Sequence, residues 1–194
     1  ILQTPTEWVI RRHLREVFLK SQYRQNPQVR PQGHRRVAVL EAIADPDCDV
    51  VLIVTPTALH AAHIEAARRA GKAIWTEKPI AQEIGDSARI VDLWRATGLP
   101  VQVGFMRRFD PGYVRAKALI EAGELGRIEQ FRAYSRDTNP PPLEFLLTCG
   151  GSFLDMAVHD LDLARFLVGE VEEVHAWATV LFDERFARAD DWDT

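Results

Sequence analysis

The run Asp49-Val50-Val51-Leu52-Ile53-Val54-Thr55-Pro56 decides the fold of this 194-residue chain. A continuous apolar run that is rich in β-branched residues is typical of a strand buried on both faces of a parallel sheet. A Thr-Pro pair follows at once, and both residue types favour the start of a helix. The run therefore predicts a strand over Asp49 to Thr55 that leads directly into a helix.

Helices and strands alternate on both sides of this run. The apolar spacing predicts helices at Val37 to Ala44, Thr57 to Ala70 and Ile84 to Thr97, and strands at Ala73 to Thr76 and Pro100 to Gly104. Two of the helices end at Gly71 and Gly98, since glycine favours the end of a helix. Such alternation is typical of a parallel sheet with helical crossovers, so residues 37–104 are predicted to form a partial Rossmann-type α/β domain.

The pattern changes near Phe105. The sequence downstream predicts a helix over Asp110 to Glu121, a strand over Ile128 to Ser135, a proline-rich loop over Asp137 to Pro142, a helix over Ser152 to Val168 and a strand over Val174 to Phe182. In the later helix, the apolar stripe is expected to comprise Phe153, Ala157, Leu161 and Ala164. Residues 105–194 are therefore predicted to form part of an α+β substrate domain.

Residues 1–36 are basic and remain an unassigned segment. They contain eight Arg or Lys residues against two Glu, and the spacing within Glu7 to Tyr23 fits one amphipathic helix. A packing segment or an irregular tail is the favoured interpretation. A nucleic-acid arm and a targeting segment are the alternatives that the charge leaves open.

Composition limits the function classes. The chain is 46% hydrophobic and 27% charged, has a net charge of −4, and lacks any long apolar run, so we expect a globular protein with no membrane or nucleic-acid partner. The spacing of Cys48 and Cys149 fits neither a metal site nor a disulfide framework and is compatible with a cytoplasmic location. His60 and His63 share a helix face but lack a third ligand, so no metal is expected.

Three residues could carry chemistry. Asp155 and His159 are four residues apart and share one face of a predicted helix, whereas Lys78 follows a predicted strand end, where α/β proteins hold reactive groups. A lysine, a carboxylate and an imidazole suit proton removal from an alcohol. Asp155 and Asp162 flank His159 and are expected to hold it and make it more basic. Asp155 as a helix N-terminal residue and His159 as a solvated side chain remain alternatives.

Several segments carry a resemblance to a known family. They are Thr55-Pro56, Ala70-Gly71-Lys72, Glu77-Lys78-Pro79, Val103 to Asp110, Ser135-Arg136-Asp137, and the stretch from Gly150-Gly151 to His159-Asp160. In this order they resemble the Gfo/Idh/MocA family of NAD(P)-dependent oxidoreductases, and within it the inositol 2-dehydrogenases. The resemblance covers about residues 37–194.

The resemblance implies roles for individual residues. The implied catalytic residues are Lys78, Asp155 and His159. The implied cofactor contacts are Thr55, Pro56, His60, Glu77, Lys78, Met106 and Arg107. The implied substrate contacts are Lys78, Arg107, Asp137, Asp155 and His159. Asp160 and Asp162 are expected on the helix surface or in support of the site, and the Lys78-Pro79 bond is a candidate cis peptide.

The resemblance also implies an activity: NAD-dependent oxidation of a cyclic polyol, myo-inositol above all, to its 2-ketone by a homo-oligomeric enzyme. NADP as cofactor, another sugar or polyol as substrate, and a non-catalytic binding fragment remain alternatives. The chain contains no Gly-x-Gly-x-x-Gly segment, which in this fold binds the pyrophosphate of the dinucleotide. We therefore expect residues 1–194 to be the middle of a longer enzyme that does not turn over NAD alone and that exposes a sheet edge.

Overall fold

The computed structural model describes residues 16–20, by their backbone, and residues 39–193. Its centre is a four-stranded parallel sheet in the order β1-β2-β3-β4. The strands are β1 (Glu16–Lys20), β2 (Val50–Val54), β3 (Ala73–Thr76) and β4 (Val101–Val103). The parallel Rossmann-type sheet that the sequence predicts is thus confirmed, and the three strands predicted for it agree with the observed ones to within a residue at each end.

Helices cover this sheet. They are α1 (Val39–Ala44), α2 (His60–Arg69), which a 3₁₀ turn (Thr57–Leu59) precedes, and α3 (Ile84–Arg95). The core lies between sheet and helices, where Val51 and Ile53 of β2 meet Ile64 of α2 with almost no exposed surface. The continuous apolar run of β2 is explained by this packing, because a strand inside a parallel sheet is covered on both faces.

The second half of the described chain is mostly helical. Its elements are a 3₁₀ turn (Met106–Phe109), α4 (Pro111–Glu121), α5 (Leu143–Leu146), a π-helical turn (Phe153–Ala157) that continues into α6 (Val158–Leu167), and α7 (Glu184–Arg188). Asp110 caps α4, since its carboxylate accepts the N–H groups of Gly112 and Tyr113. None of the helices in the described ranges is long and apolar enough to cross a membrane.

The predicted helix over Glu7 to Tyr23 is wrong at residues 16–20. These residues form β1, which pairs in parallel with β2 from Glu16 opposite Val50 to Lys20 opposite Val54. The open edge of a buried strand offers backbone partners that outweigh a weak local helix preference. β1 thus covers this edge of β2, while the exposed sheet edge expected from the sequence stays a prediction. The rest of the predicted helix lies outside the described residues.

The strands predicted over Ile128 to Ser135 and Val174 to Phe182 are also wrong. Both segments run without regular structure, and neither has a partner strand among the described residues. Apolar alternation yields a strand only where another backbone can pair with it. Without such pairing the side chains of the second segment stay open to solvent, and that of Trp177 is 87% exposed.

The carboxyl ends of β2 and β3 lie side by side because the strands are parallel. Thr55-Pro56 and Glu77-Lys78 therefore leave the sheet at the same edge, and the Lys78-Pro79 peptide bond is cis, as predicted. Gly104 follows β4 at this edge, where a Cβ atom would lie only 3.0 Å from the Trp75 ring. A side chain at position 104 would therefore crowd the Trp75 ring.

Candidate functional site

An open cavity of about 430 Å³ lies where the end of β3 faces the start of α6. Its lining is polar and comes from several separate segments: Lys78, Arg107, Tyr134, Ser135, Arg136, Asp137, Asp155, Met156 and His159. The five residues expected to contact substrate are all in this lining. A concave site with converging polar groups is the usual form of a binding site for a small molecule.

The Lys78 ammonium reaches from the sheet to the π-helical turn. Its Nζ donates to Asp155 Oδ1 at 2.8 Å and also to the main-chain carbonyl of Asp155. The Lys78 side chain is only 14% exposed, so the pair is shielded on the lysine side. Hydrogen bonds between charged groups are stronger than neutral ones, and this pair fixes the end of β3 against the turn.

The π-helical turn that carries Asp155 is fixed at Ser152, the residue directly before it. The Asp191 carboxylate accepts hydrogen bonds from the Ser152 N–H at 3.0 Å and from the Ser152 Oγ at 2.9 Å. Gly150 and Gly151 precede it with φ values of 88° and 86°, where a side chain would be strained. Asp191 is buried and lies 39 residues away in sequence, so no local pattern could have identified it.

His159 lies in the cavity wall without the support predicted for it. Its Nδ1 atom is buried and has no hydrogen-bond partner within the described part of the chain. The expectation that Asp155 holds this ring is wrong, since Asp155 Oδ1 accepts from Lys78 instead. An unpaired buried nitrogen is uncommon in proteins and often marks a functional group.

The expectation that flanking carboxylates make His159 more basic is wrong as well. The pKa of His159 lies below its ordinary value, first because burial disfavours the charged imidazolium. The positive charges of Lys78 and Arg107 lower the pKa further and outweigh the opposing carboxylates of Asp155 and Asp160. The sequence showed the two acids on the same helix but not the two cations that approach from other elements.

Arg107 is fixed by a small polar network. Its guanidinium donates to an Asp160 carboxylate oxygen and, at 3.3 Å, to Ser135 Oγ, and Ser135 Oγ donates to the other oxygen of Asp160. Arg107 therefore faces the cavity in a set orientation. Asp160 supports the site, in line with the role expected for it.

Asp162 is not a surface residue. Only 7% of its side chain is exposed, and Arg108 donates two hydrogen bonds to it at 2.8 and 2.6 Å. The predicted apolar stripe is shifted accordingly: Leu163 and Leu167 are buried, whereas Phe153 and Leu161 are exposed. The bidentate pair couples α6 to the 3₁₀ turn after β4 and so fixes the helix rotation.

The residues expected to contact a cofactor lie outside the cavity lining, apart from Lys78 and Arg107. Thr55 and Glu77 follow β2 and β3, and Met106 is exposed. His60 is different, because its side chain is 1% exposed and its two ring nitrogens face main-chain carbonyls. The Nδ1 atom of His63 lies 3.2 Å from Thr55 Oγ1.

Across residues 16–20 and 39–193, no three His, Cys, Asp or Glu side chains form a metal site.

Comparison with known proteins links both halves of the chain to one group. Residues 13–105 match the family model described as "Oxidoreductase family, NAD-binding Rossmann fold", and residues 113–194 match "GFO/IDH/MocA C-terminal domain". Among curated relatives, the scyllo-inositol 2-dehydrogenase (NAD(+)) of Bacillus subtilis is 41% identical over 77% of this chain and 45% of its own length. The myo-inositol 2-dehydrogenase of Thermotoga maritima is 39% identical over 79% and 46%.

A solved structure of an inositol dehydrogenase is also similar to this chain. The scyllo-inositol dehydrogenase of Lactobacillus casei, with bound NAD(H) and scyllo-inositol, superimposes with a TM-score of 0.68 at 33% identity. The match covers 81% of this chain and 48% of that chain. The chain thus spans about half the length of the relatives it matches.

Asp162→Ala is expected to destabilise the fold, although a surface position would have tolerated the change. Removing the carboxylate leaves the Arg108 guanidinium without its partner, which costs about 1–3 kcal/mol of unfolding free energy. Denaturant unfolding of the full-length protein measures this loss of unfolding free energy. The matched control is Asp86→Ala, which breaks an exposed pair with Arg89 and should cost less than about 1 kcal/mol. Equal losses in the two variants would contradict this account.

Lys78→Met is expected to raise the pKa of His159 toward its ordinary value. The ammonium contributes to the lowering, and its loss also leaves the Asp155 carboxylate uncompensated, so both changes favour the imidazolium. An NMR titration of the imidazole in the full-length protein measures the shift. A pKa that stays constant or falls would show that the lysine charge does not act on the ring.

Proposed function

Since the chain belongs to the GFO/IDH/MocA family of NAD-binding oxidoreductases, we propose that the full-length protein oxidises a cyclic polyol with NAD, myo-inositol at its 2-hydroxyl. The observation that carries the proposal is the convergence of Lys78, Asp155 and His159 on one polar cavity. These groups come from the end of a strand and from two turns of one helix. A base and a cation at one site suit the removal of a hydroxyl proton.

His159 takes the hydroxyl proton. Its lowered pKa keeps the imidazole neutral near pH 7, as a base requires. Because Nδ1 is buried, we assign the proton transfer to Nε2. The hydroxyl carbon loses its hydrogen as hydride while the C–O bond becomes a carbonyl, and NAD, when bound, supplies the hydride acceptor.

Lys78 stabilises the substrate oxygen while negative charge develops on it. Its ammonium is already ordered by Asp155, so little reorganisation is needed when the oxygen arrives. Arg107, which Asp160 and Ser135 orient, offers donors to neighbouring hydroxyls. Asp137, exposed in the cavity lining, offers an acceptor.

The strand ends fit one side of an NAD site. In open parallel sheets, ligands bind in the crevice at the carboxyl ends of the strands, where Thr55-Pro56, Glu77 and Met106 lie. Thr55 and Pro56 would contact the adenosine and ribose side, and Met106 would contact the nicotinamide. The 194 residues contain no Gly-x-Gly-x-x-Gly turn for the pyrophosphate.

We also place the division between the two domains at residue 105, supported by the separate family models for 13–105 and 113–194.

scyllo-Inositol is the second candidate substrate. Relatives of similar identity include enzymes named for each of the two inositols, and one solved relative holds scyllo-inositol. The two stereoisomers differ at one hydroxyl, and a pocket discriminates strongly only where it bonds that hydroxyl. Steady-state assays of the full-length protein with both inositols decide between them.

His159→Ala is expected to lower kcat by about 10²–10⁴-fold, because the substrate proton loses its acceptor. The affinity for NAD should change little. In the unchanged protein, kcat/KM should fall as the pH drops through the pKa of His159, which burial holds below the ordinary histidine value, because the imidazole is then protonated. The control is His175→Ala, an exposed histidine outside the cavity, which should keep full activity. Normal turnover in the His159 variant would refute the assignment.

Polyhydroxylated rings are expected to be far better substrates than linear alcohols. Arg107 and Asp137 present a donor and an acceptor to the same cavity, and a site built to bond hydroxyls rejects compounds that lack them. The measurement compares kcat/KM for myo-inositol and 2-butanol, with an expected ratio of about 10⁴ or more. Comparable values would contradict the proposed substrate class.

A further inference from the structure

His60 connects two turns that are far apart in sequence. It is the first residue of α2, and its side chain is 1% exposed. Its Nε2 lies 2.8 Å from the carbonyl oxygen of Thr55, and its Nδ1 lies 2.7 Å from the carbonyl oxygen of Pro79. One buried imidazole thus spans the turn that follows β2 and the turn that follows β3.

Both carbonyls need a donor at this place. Buried main-chain carbonyl groups outside helices and sheet ladders are nearly always paired. A neutral imidazole donates from one nitrogen, and the protonated ring donates from both. The ring therefore supplies at least one of the two hydrogen bonds, and its planar shape fixes the separation of the two turns.

The position of His60 determines what this connection can affect. Pro79 directly follows Lys78, whose ammonium is held at Asp155. Thr55 is the first residue after β2, at the edge where the cofactor is proposed to lie. Because both ring nitrogens face main-chain carbonyls and the side chain is buried, the His60 imidazole offers no free polar atom to a substrate or a cofactor.

From this arrangement we infer that His60 is a positioning residue. It holds the turn that carries Lys78 at a fixed distance from the Thr55 turn, and thereby keeps the Lys78 ammonium at Asp155 beside His159. This inference rests on the proposed polyol oxidation for its kinetic consequence. It replaces the direct cofactor contact that the resemblance implied for His60.

The test compares three variants of the full-length protein below their melting temperatures. His60→Phe keeps a planar ring but donates to neither carbonyl, and His60→Gln restores an N–H donor. Ile64→Ala is the matched control, since Ile64 is buried on the same helix, contributes only to packing, and its loss also destabilises the fold. If the phenylalanine ring prevents folding, His60→Leu takes its place.

The kinetic result should separate positioning from stability. A displacement of about 1 Å at a reacting group can lower the rate about 100-fold, so we expect His60→Phe to lower kcat by about 10- to 100-fold. His60→Gln should recover part of this loss, and Ile64→Ala should retain kcat within about twofold. Equal kcat in His60→Phe and Ile64→Ala would overturn the inference.

A second readout does not depend on activity. The Lys78 ammonium contributes to the lowered pKa of His159, so its displacement in His60→Phe should raise that pKa in an NMR titration, whereas Ile64→Ala should leave it unchanged. If the unchanged protein oxidises no polyol, the proposed function fails while this titration still tests the positioning. A His159 pKa that is the same in His60→Phe and the unchanged protein overturns the role of His60.

Discussion

The ion pair between Lys78 and Asp155 is the contact on which the site depends. It joins two parts of the chain that are 77 residues apart, the end of β3 and the π-helical turn before α6. It holds the lysine charge beside the turn that leads directly to His159. A π-helical turn is uncommon and costs some regular hydrogen bonding, and such turns are frequent at functional sites. Here the π-helical turn carries Asp155, whose carboxylate accepts a hydrogen bond from Lys78.

Two further ion pairs fix the same helix from another side. Arg107 and Arg108 are consecutive in the turn after β4, and they bind Asp160 and Asp162 on α6. Residues two positions apart on a helix point in widely different directions, so the two arginines together oppose rotation of α6. The ring of Phe166, 5.3 Å from the Arg108 guanidinium, adds a cation–π contact. His159 lies directly beside Asp160 in this fixed helix.

The sequence predicts the sheet better than the site because the two depend on different information. The run Asp49 to Thr55 shows its burial locally, since a strand covered on both faces must be apolar throughout. The pKa of His159 depends instead on Lys78 and Arg107, which approach from other elements. The sequence left Asp162 either on the helix surface or in support of the site, because its partner Arg108 lies 54 residues away. Local spacing singled out Lys78, Asp155 and His159, and the family resemblance added Arg107 and Asp137, but neither indicated how these side chains pair.

The strand errors have the same cause. β1 contains Val17, Phe18 and Leu19, a pattern too short to separate strand from helix, and the neighbouring edge of β2 decides between them. For Val174 to Phe182 the prediction failed in the opposite direction. Its apolar alternation fits a strand, but no described backbone pairs with it. Alternating apolar residues therefore indicate a segment that can form a strand, and the strand forms only where a second strand is available to pair with it.

The placement of charge around His159 explains why a base can be kept neutral among acids. Asp155 and Asp160 are its near neighbours on the helix, and alone they would favour the imidazolium. Each of these carboxylates is engaged by a cation, Lys78 or Arg107, and the two cations outweigh the influence of the carboxylates on the pKa of the ring. Burial then decides the direction, and the imidazole is held in the form that accepts a proton. The cations that orient the site therefore also keep its base neutral. A displacement of Lys78 from Asp155 would change both the geometry of the site and the pKa of His159.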